Sequence, residues 1–249
     1  MKDKNKGVLL EDLTWLEAEE CLTPSSVVVI PLGAAAKEHG PHLKLKNDWL
    51  IAEYLKNRVL EASDVVMAPT VNYSFYPAFV EYPGSISIPM ETARDTIIHI
   101  CKSLSNYGPK RFYVLNTGVS TMHALKPAAE LLHSEGLMLH FTNIIKLTDE
   151  VDSQVAEQEG GTHADELETS MMLYIAPETV DMSKAQKNFY TPHSPGPLTR
   201  VESNQGIYSP SGIWGDATLA TKEKGEKIVE AMVEGILKEI KDLAQTNLP

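Results

Sequence analysis

Hydrophobic positions along the chain alternate between short β-branched runs and longer stretches with helical spacing. Val27–Leu32 is a continuous apolar run followed by Gly33, which predicts a buried strand. Asp48–Glu61 carries apolar residues at helical spacing, with Asn47 or Asp48 as its N-cap. Further strands are predicted at Val65–Ala68, Arg111–Leu115 and Leu137–Phe141. Further helices are predicted at Thr92–Asn106, Thr121–His133, Ala164–Ile175 and Lys222–Leu243.

This alternation of strands and helices predicts an α/β fold. Its sheet would be mostly parallel and covered by helices on both faces. In such sheets ligands bind at the carboxyl ends of the strands, so the loops after Leu32, Ala68 and Leu115 are the places to look for a site. No internal repeat or linker interrupts the pattern, and we expect a single domain over residues 1–249. The proline-, serine- and glycine-rich stretch Phe189–Gly212 is expected to be a long surface loop.

Composition narrows the class of protein further. The 249 residues include 34 acidic and 22 basic side chains, a net charge of -12 that disfavours nucleic acid and anionic membranes as partners. No apolar run is long enough to span a membrane, and no signal-peptide core follows the polar start of the sequence. The two cysteines, Cys21 and Cys101, lie in apolar stretches, as free thiols of a reducing compartment do. The expectation is a cytoplasmic protein.

The first chemical cluster is Lys37–His42, which lies between the predicted strand and the helix that begins near Asp48. Glu38, His39 and Asp48 offer the oxygen and nitrogen ligands that zinc and manganese prefer. A bend at Gly40-Pro41 could turn both histidines of the cluster towards one site. The residues alone leave an alternative open. Asp48 would then be a helix cap, the histidines would bond to the backbone, and the Lys37 and Glu38 side chains would be solvated.

Motifs along the chain resemble those of the creatininase (creatinine amidohydrolase) family. Pro31-Leu32-Gly33, together with Glu38–Leu43, Asp48 and Ala52, is similar to the opening signature of the family. The aromatic-Pro-Gly segment of the family resembles Tyr82–Ser87. Two later family segments are similar to His163–Ser170, followed by Pro177-Glu178, and to Trp214–Thr221. The resemblance therefore extends from Val27 to the last helix.

The resemblance implies a three-layer α/β/α sandwich, assembly into a homohexamer, and a centre of one or two divalent metal ions. Zinc is the expected ion, with manganese or iron as alternatives. It also implies hydrolysis of a C–N bond in a cyclic amide, a formamide or a related small molecule. The family's metal histidine and bridging aspartate correspond to His39 and Asp48. Its proton-transferring histidine and supporting glutamate correspond to His163 and Glu168.

Two positions depart from the family pattern. Lys37 stands two residues before His39, where the family has a metal glutamate, and Gly33–His39 is one residue longer than usual. Glu38 is therefore the expected ligand, if the backbone bulges to re-aim its side chain. Gly118 stands where the family has a metal histidine, and Ser120 where creatininase has a metal carboxylate.

The loop Asn116–Thr121 offers hydroxyl and amide groups at the end of a predicted strand. Our hypothesis is that Thr117 and Ser120 bind a carboxylate or phosphate of the substrate. The alternative is a plain turn with Thr121 as the N-cap of the next helix.

The sequence thus predicts a metal-dependent amidohydrolase. Glu38, His39 and Asp48 would hold the metal, and His163 and Glu168 would act in catalysis. The alternative is a non-catalytic relative that binds a small molecule at a degenerate metal site. A dinucleotide-binding enzyme is disfavoured, because no glycine-rich fingerprint of that type follows the first strand.

Overall fold

The structure is a computed structural model that describes residues 5–189 and 196–249. At its centre is a five-stranded sheet in the order β1-β3-β2-β4-β5, in which every neighbouring pair is parallel. The strands are β1 Val8–Leu9, β2 Val27–Leu32, β3 Val66–Met67, β4 Arg111–Asn116 and β5 Met138–Phe141. Two small pairs lie outside this sheet, formed by β6 Lys187–Asn188 with β9 Gly215–Asp216, and by β7 Leu198–Thr199 with β8 Ile207–Tyr208.

Seven α-helices cover the sheet in the described part of the chain. They are α1 Trp15–Cys21, α2 Asn47–Ala62, α3 Met90–Ser105, α4 Met122–Ser134, α5 Ile144–Val155, α6 Glu166–Ile175 and α7 Lys222–Gln245. Side chains of α2, α5, α6 and α7 form one hydrophobic cluster with the sheet, and those of α1, α3 and α4 form another. The predicted three-layer α/β/α architecture with a parallel sheet is confirmed.

Strand β2 shows why this sequence forms a central strand. All six of its residues are buried. Val27 and Val29 belong to the α2 and α7 cluster, whereas Val28 and Ile30 belong to the α3 and α4 cluster. A parallel strand covered on both faces needs apolar side chains on both, which explains the unbroken β-branched run. Each buried Val or Ile side chain stabilises the fold by about 1.5–3 kcal/mol.

The elements predicted from sequence are all present, with ends that differ by two residues at most. Strand β1 and helices α1 and α5 were not predicted. The N-cap prediction for α2 is wrong, because α2 begins at Asn47 and its N-cap is Lys46. The Asn47 and Asp48 side chains bind other side chains instead of capping the helix. Cys21 and Cys101 are free thiols.

The described part of the predicted surface loop Phe189–Gly212 is mostly irregular and half of its residues are exposed, but it also contains β7 and β8 and several buried residues. Leu198, Thr199 and Ser209 are buried, because β7 packs against the short helix Pro77–Phe79 and Asn188 Nδ2–H donates to Ser209 Oγ at 2.8 Å. Residues 190–195 of the same prediction lie outside the described residues. No described helix combines the length and apolar character needed to cross a membrane. The single domain over residues 1–249 stays a prediction.

Helix α7 packs closely against α6 at Gly225. A Cβ atom at Gly225 would lie 1.8 Å from the carbonyl oxygen of Ser170. We expect Gly225→Ala to push the helices apart and lower the free energy of unfolding by about 1–3 kcal/mol, measured by urea denaturation. Gly235→Ala in the same helix is the control, because its Cβ would meet only the movable Leu147 side chain, at 2.8 Å. Equal losses for the two variants would contradict this account.

Candidate metal and catalytic site

The candidate site lies where β2 ends and α2 begins, at the carboxyl edge of the sheet. A Cβ atom at Gly33 would lie 2.4 Å from the carbonyl oxygen of Asp48, so only glycine allows this close approach. The Thr117 hydroxyl, just after β4, lies 3.1 Å from the Leu32 carbonyl oxygen and 3.2 Å from that of Asp48. The first turn of α2 is thereby held against the ends of two strands.

A chain of buried ion pairs joins Lys37, Asp48 and His39. Lys37 Nζ lies 2.7 Å from Asp48 Oδ2, and the two side chains are 8% and 1% exposed. His39 Nε2 lies 2.8 Å from Asp48 Oδ1, while His39 Nδ1–H donates to the Lys37 carbonyl oxygen at 2.8 Å. Both carboxylate oxygens of Asp48 therefore contact a nitrogen.

Burial and charge compete in setting the pKa values of this chain. Burial disfavours the His39 imidazolium, but the Asp48 and Glu168 carboxylates together outweigh it and raise the pKa of His39 to about 9. Burial also disfavours the Lys37 ammonium group, but the carboxylates of Asp48, Glu168 and Glu38 together outweigh it and raise the pKa of Lys37. Burial of Asp48 is likewise outweighed by the Lys37 and His39 charges, which lower the pKa of Asp48. Lys37 and His39 are both cations in the metal-free protein near neutral pH.

Glu168 connects His39 to His163. Its Oε1 lies 3.3 Å from His39 Nε2, and its Oε2 lies 3.7 Å from His163 Nδ1. The ligand atoms of His39, His163 and Glu168 all lie within 4.8 Å of one another. Asn47 Nδ2–H donates to Glu168 Oε1 at 3.0 Å, and the Ala164 N–H donates to Glu168 Oε2 at 2.7 Å. Burial raises the pKa of Glu168, but the His39, His163 and Lys37 charges together outweigh it, and the net pKa is well below the ordinary value.

A tight turn before α6 presents His163 and Glu168 on the same side. Ala164 has φ +47°, and no other non-glycine residue in the described chain has a positive φ. This conformation costs about 1–2 kcal/mol. Asp165 is the N-cap of α6 and accepts the N–H groups of Leu167 and Glu168, each at 3.0 Å. The strained residue Ala164 lies between His163 and α6, whose first turn places Glu168 Oε2 3.7 Å from His163 Nδ1.

Glu38 lies on the far side of His163 from Glu168. His163 Nε2 lies 3.0 Å from Glu38 Oε2, and the Gly40 N–H also donates to the Glu38 carboxylate. A Cβ atom at Gly212 would overlap this carboxylate, so the glycine makes room for it. A cavity of about 440 Å³ is lined by Glu38, Gly40, Pro41, Gln186, Pro210 and Ser211. Glu38 is thus the site carboxylate that lines this cavity.

The structure brings most of the predicted site residues together, although not as one ligand set. His39, His163 and Glu168 form the compact group, and two of the predicted ligands flank it. Asp48 contacts the group through His39, and Glu38 contacts it through His163. The alternative in which Lys37 and Glu38 are solvated is wrong, since they are only 6% and 7% exposed.

The predicted bend exists at Gly40, which has φ +69°. It does not place His42 in the compact group, because His42 Nε2 lies 2.8 Å from Thr169 Oγ1. Burial lowers the pKa of His42 to about 4, so this imidazole is neutral.

The Asn116–Thr121 loop is folded onto the protein's own backbone. The contacts of the Thr117 hydroxyl are the carbonyl oxygens that hold α2, and the Thr121 hydroxyl donates to Gly118 O at 2.6 Å. Thr121 precedes α4, but its side chain caps no N–H there. Ser120 is half-buried at the same loop. Anion binding by Thr117 and Ser120 stays a prediction.

Aromatic side chains wall the site. The Phe79 ring centroid lies 4.4 Å from that of His163 and 4.7 Å from Lys37 Nζ. Tyr76, Tyr82 and Trp214 pack with Phe79 in one cluster. Sequence reasoning gave Asn47 only a capping role and Phe79 none, and no spacing pattern marks either residue as part of a site.

The donor set of the compact group fits a divalent metal ion. Two imidazoles and one carboxylate are a ligand combination of zinc sites with an open position. Because His39 is protonated between two carboxylates, a dication at His39 Nε2 would replace a proton in surroundings already suited to positive charge.

Relatives with known names match most of the chain. It is 28% identical over 221 residues to the mycofactocin precursor peptide peptidase of Mycolicibacterium smegmatis, covering 86% of this chain and 84% of that protein. It is 26% identical over 258 residues to the creatinine amidohydrolase of Pseudomonas putida, covering 96% and 98%. The 3-dehydro-scyllo-inosose hydrolase of Thermotoga maritima is 22% identical over 275 residues, covering 98% and 86%. All three relatives are hydrolases by name.

Solved structures share the fold. A crystal structure of creatinine amidohydrolase superposes with a TM-score of 0.79 at 22% identity, covering 97% of this chain and 100% of that one. A creatininase described with Mn has a TM-score of 0.77 at 23% identity, covering 95% and 98%. A mutant creatininase of the Zn–Zn type has a TM-score of 0.74 at 23% identity, also covering 95% and 98%.

The family model for creatininase, creatinine amidohydrolase, matches residues 11–240. This range contains every strand of the sheet except β1 and every residue of the candidate site. The chain therefore belongs to the creatininase family.

Proposed function

We propose that this protein is a metal-dependent hydrolase of a C–N bond in a cyclic amide, a formamide or a related small molecule. The observation that carries the proposal is the group of His39, His163 and Glu168, with ligand atoms within 4.8 Å of one another and Glu38 between the group and a cavity. Relatives named as an amidohydrolase and a peptidase support the type of bond. The structures described with Mn and Zn–Zn support the ion, with zinc first and manganese or iron as alternatives.

The residues that would hold the ion are His39 through Nε2, Glu168, and His163 through Nδ1. His163 Nε2 is engaged by Glu38, which leaves Nδ1 as the nitrogen that faces Glu168. The Lys37 carbonyl oxygen accepts from His39 Nδ1–H and fixes the ring, as outer partners do for metal-bound histidines, while Asp48 Oδ1 lies 2.8 Å from Nε2, the nitrogen that would bind the ion. A bound dication would supply charge that polarises a substrate carbonyl and lowers the pKa of water in the site.

Glu38 is positioned to move the proton. Its carboxylate lines the cavity, where it can take a proton from water and deliver it to the leaving nitrogen. The His163 Nε2–H group, 3.0 Å away, holds the carboxylate in place. The proposal changes four roles expected from the sequence. Glu38 becomes the proton carrier, His163 and Glu168 join His39 as ligands, and Asp48 is no longer one of the ligands.

The wider setting follows the sequence expectations. The partner is a small-molecule substrate, and the net charge of -12 disfavours nucleic acid and anionic membrane surfaces. Assembly into a homohexamer and a cytoplasmic location stay predictions.

Removing a ligand should remove the metal. We expect His39→Ala and His163→Ala to lose stoichiometric zinc or manganese, measured by inductively coupled plasma mass spectrometry on protein purified without a histidine tag. His140→Ala is the matched control, because His140 is exposed on β5 and should leave the metal content unchanged. Folded His163→Ala protein that keeps its metal but loses activity would return His163 to the proton-transfer role.

Glu38→Gln should separate proton transfer from metal binding. The amide keeps the size of the side chain but cannot take up a proton, so we expect kcat to fall about 10²–10⁴-fold with metal content unchanged. Activity is followed on whichever member of a panel of creatinine, N-formyl amines and short peptides is hydrolysed. Loss of metal in this variant would show that Glu38 is a ligand, as the sequence reasoning expected.

One observation favours a second candidate function, a non-catalytic relative that binds a small molecule. Lys37, Asp48 and His39 already pair their charges without a metal. A thermal-shift screen with and without zinc or manganese separates the two functions. A ligand that stabilises the protein but is never hydrolysed with any metal would favour the binding protein.

A further inference from the structure

The Lys37 ammonium group is a positive charge built into the site. It lies 2.7 Å from Asp48 Oδ2 and 4.7 Å from the Phe79 ring centroid, with a side chain that is 8% exposed. An ammonium group in this position combines an ion pair with a cation–π contact.

Asp48 presents its two oxygens to two different cationic positions. Oδ1 faces His39 Nε2, on the side of the compact group, and Oδ2 faces Lys37 Nζ. A carboxylate that bridges two metal ions uses one oxygen for each. At Asp48 the position beside Oδ2 is occupied by the ammonium group of Lys37.

We propose that Lys37 takes the place of a second metal ion, so that the site binds one dication, at His39, His163 and Glu168. This inference rests on the proposed metal-dependent function, and it adds that Lys37 sets the number of ions.

The charges of the site support one ion. Glu38, Asp48 and Glu168 carry three negative charges when ionised, and one ammonium group with one dication neutralises them. A second dication would leave a double positive charge among side chains that are at most 16% exposed, where repulsion is only weakly screened.

The space around Lys37 supports the same count. Its ammonium group is held between the Asp48 carboxylate and the Phe79 and Tyr76 rings, with the Tyr76 ring centroid 5.9 Å away. The aromatic rings offer no ligand atom of the kind that dications prefer, whereas their faces attract an ammonium group.

Metal counting tests the proposal directly. The full-length, untagged protein is stripped with chelator, reloaded with excess zinc or manganese, desalted and analysed by inductively coupled plasma mass spectrometry. We expect one ion per chain in the wild type and two in Lys37→Glu, where a carboxylate replaces the ammonium group beside Asp48. Two ions in the wild type, or one ion in folded Lys37→Glu, would overturn the proposal.

A neutral variant covers the case in which Lys37→Glu does not fold. Lys37→Gln removes a positive charge close to the bound dication, so we expect the single ion to bind at least tenfold more tightly, measured by calorimetric titration. Unchanged or weaker binding contradicts the proposal. Lys56→Gln is the matched control, because Lys56 is a buried lysine outside the site, paired with Glu11 at 3.1 Å, and its loss should leave ion number and affinity unchanged.

The outcomes separate this inference from the function on which it rests. A wild type that binds no ion contradicts the metal-dependent function itself. A wild type that binds two ions and hydrolyses an amide supports the function and removes only the assignment to Lys37.

Discussion

The ion pairs of Asp48 with Lys37 and His39 are the interaction on which the site depends. Burying three charged groups is costly unless each has a partner, and Asp48 gives one oxygen to each cation. Removing Asp48 would leave the buried Lys37 and His39 charges without the carboxylate that they share, a loss of about 3–5 kcal/mol for a broken buried pair. The arrangement also fixes the loop after β2, since His39 Nδ1–H is bound to the carbonyl oxygen of Lys37. The same contacts therefore stabilise the loop and set the charge of the site.

The fold makes this arrangement possible by bringing three chain segments to one edge of the sheet. Gly33 lets the end of β2 approach α2 without a side chain between them, and Thr117 ties the end of β4 to the same helix turn. The strained turn at Ala164 then places His163, before α6, and Glu168, in the first turn of α6, against His39. Parallel strands end at a common edge, which is why residues more than a hundred positions apart meet there.

The sequence predicted the fold better than the site, for physical reasons. Strand β2 is apolar on both faces, as expected for an interior strand of a parallel sheet that is covered on both sides. Helix α1 is seven residues long and has no buried residue, so it shows no clear apolar stripe. Helix α5 does carry one, because Ile144, Leu147, Val151 and Val155 follow helical spacing and pack on the core, and the sequence reasoning missed it. Strand β1 is two residues long and too short for any pattern.

Within the site, the sequence identified the residues but not their partners. Lys37, Glu38 and His39 are consecutive, and no local rule decides which of them faces Asp48. The deciding contacts come from distant segments, because His163 binds Glu38 and Gly212 leaves space for its carboxylate. Phe79, which contacts both Lys37 and His163, belongs to a third segment with no motif of its own. Such contacts depend on tertiary structure and cannot be predicted from spacing along the chain.

Lys37 and Glu38 are adjacent in sequence but contact different partners, Asp48 and His163, and this gives the site an inner and an outer side. On the inner side, Lys37 and Asp48 are sealed under Phe79 and Tyr76, so their charges are balanced by the protein and not by solvent. On the outer side, Glu38 meets a cavity whose other walls include Gln186, Pro210 and Ser211, which come from the segments on either side of β7 and β8. A substrate entering there would meet Glu38 before any other charged group of the site. The choice of substrate then depends on those outer walls, which can change without disturbing the buried ion pairs. This division is consistent with a family whose named members include both an amidohydrolase and a peptidase.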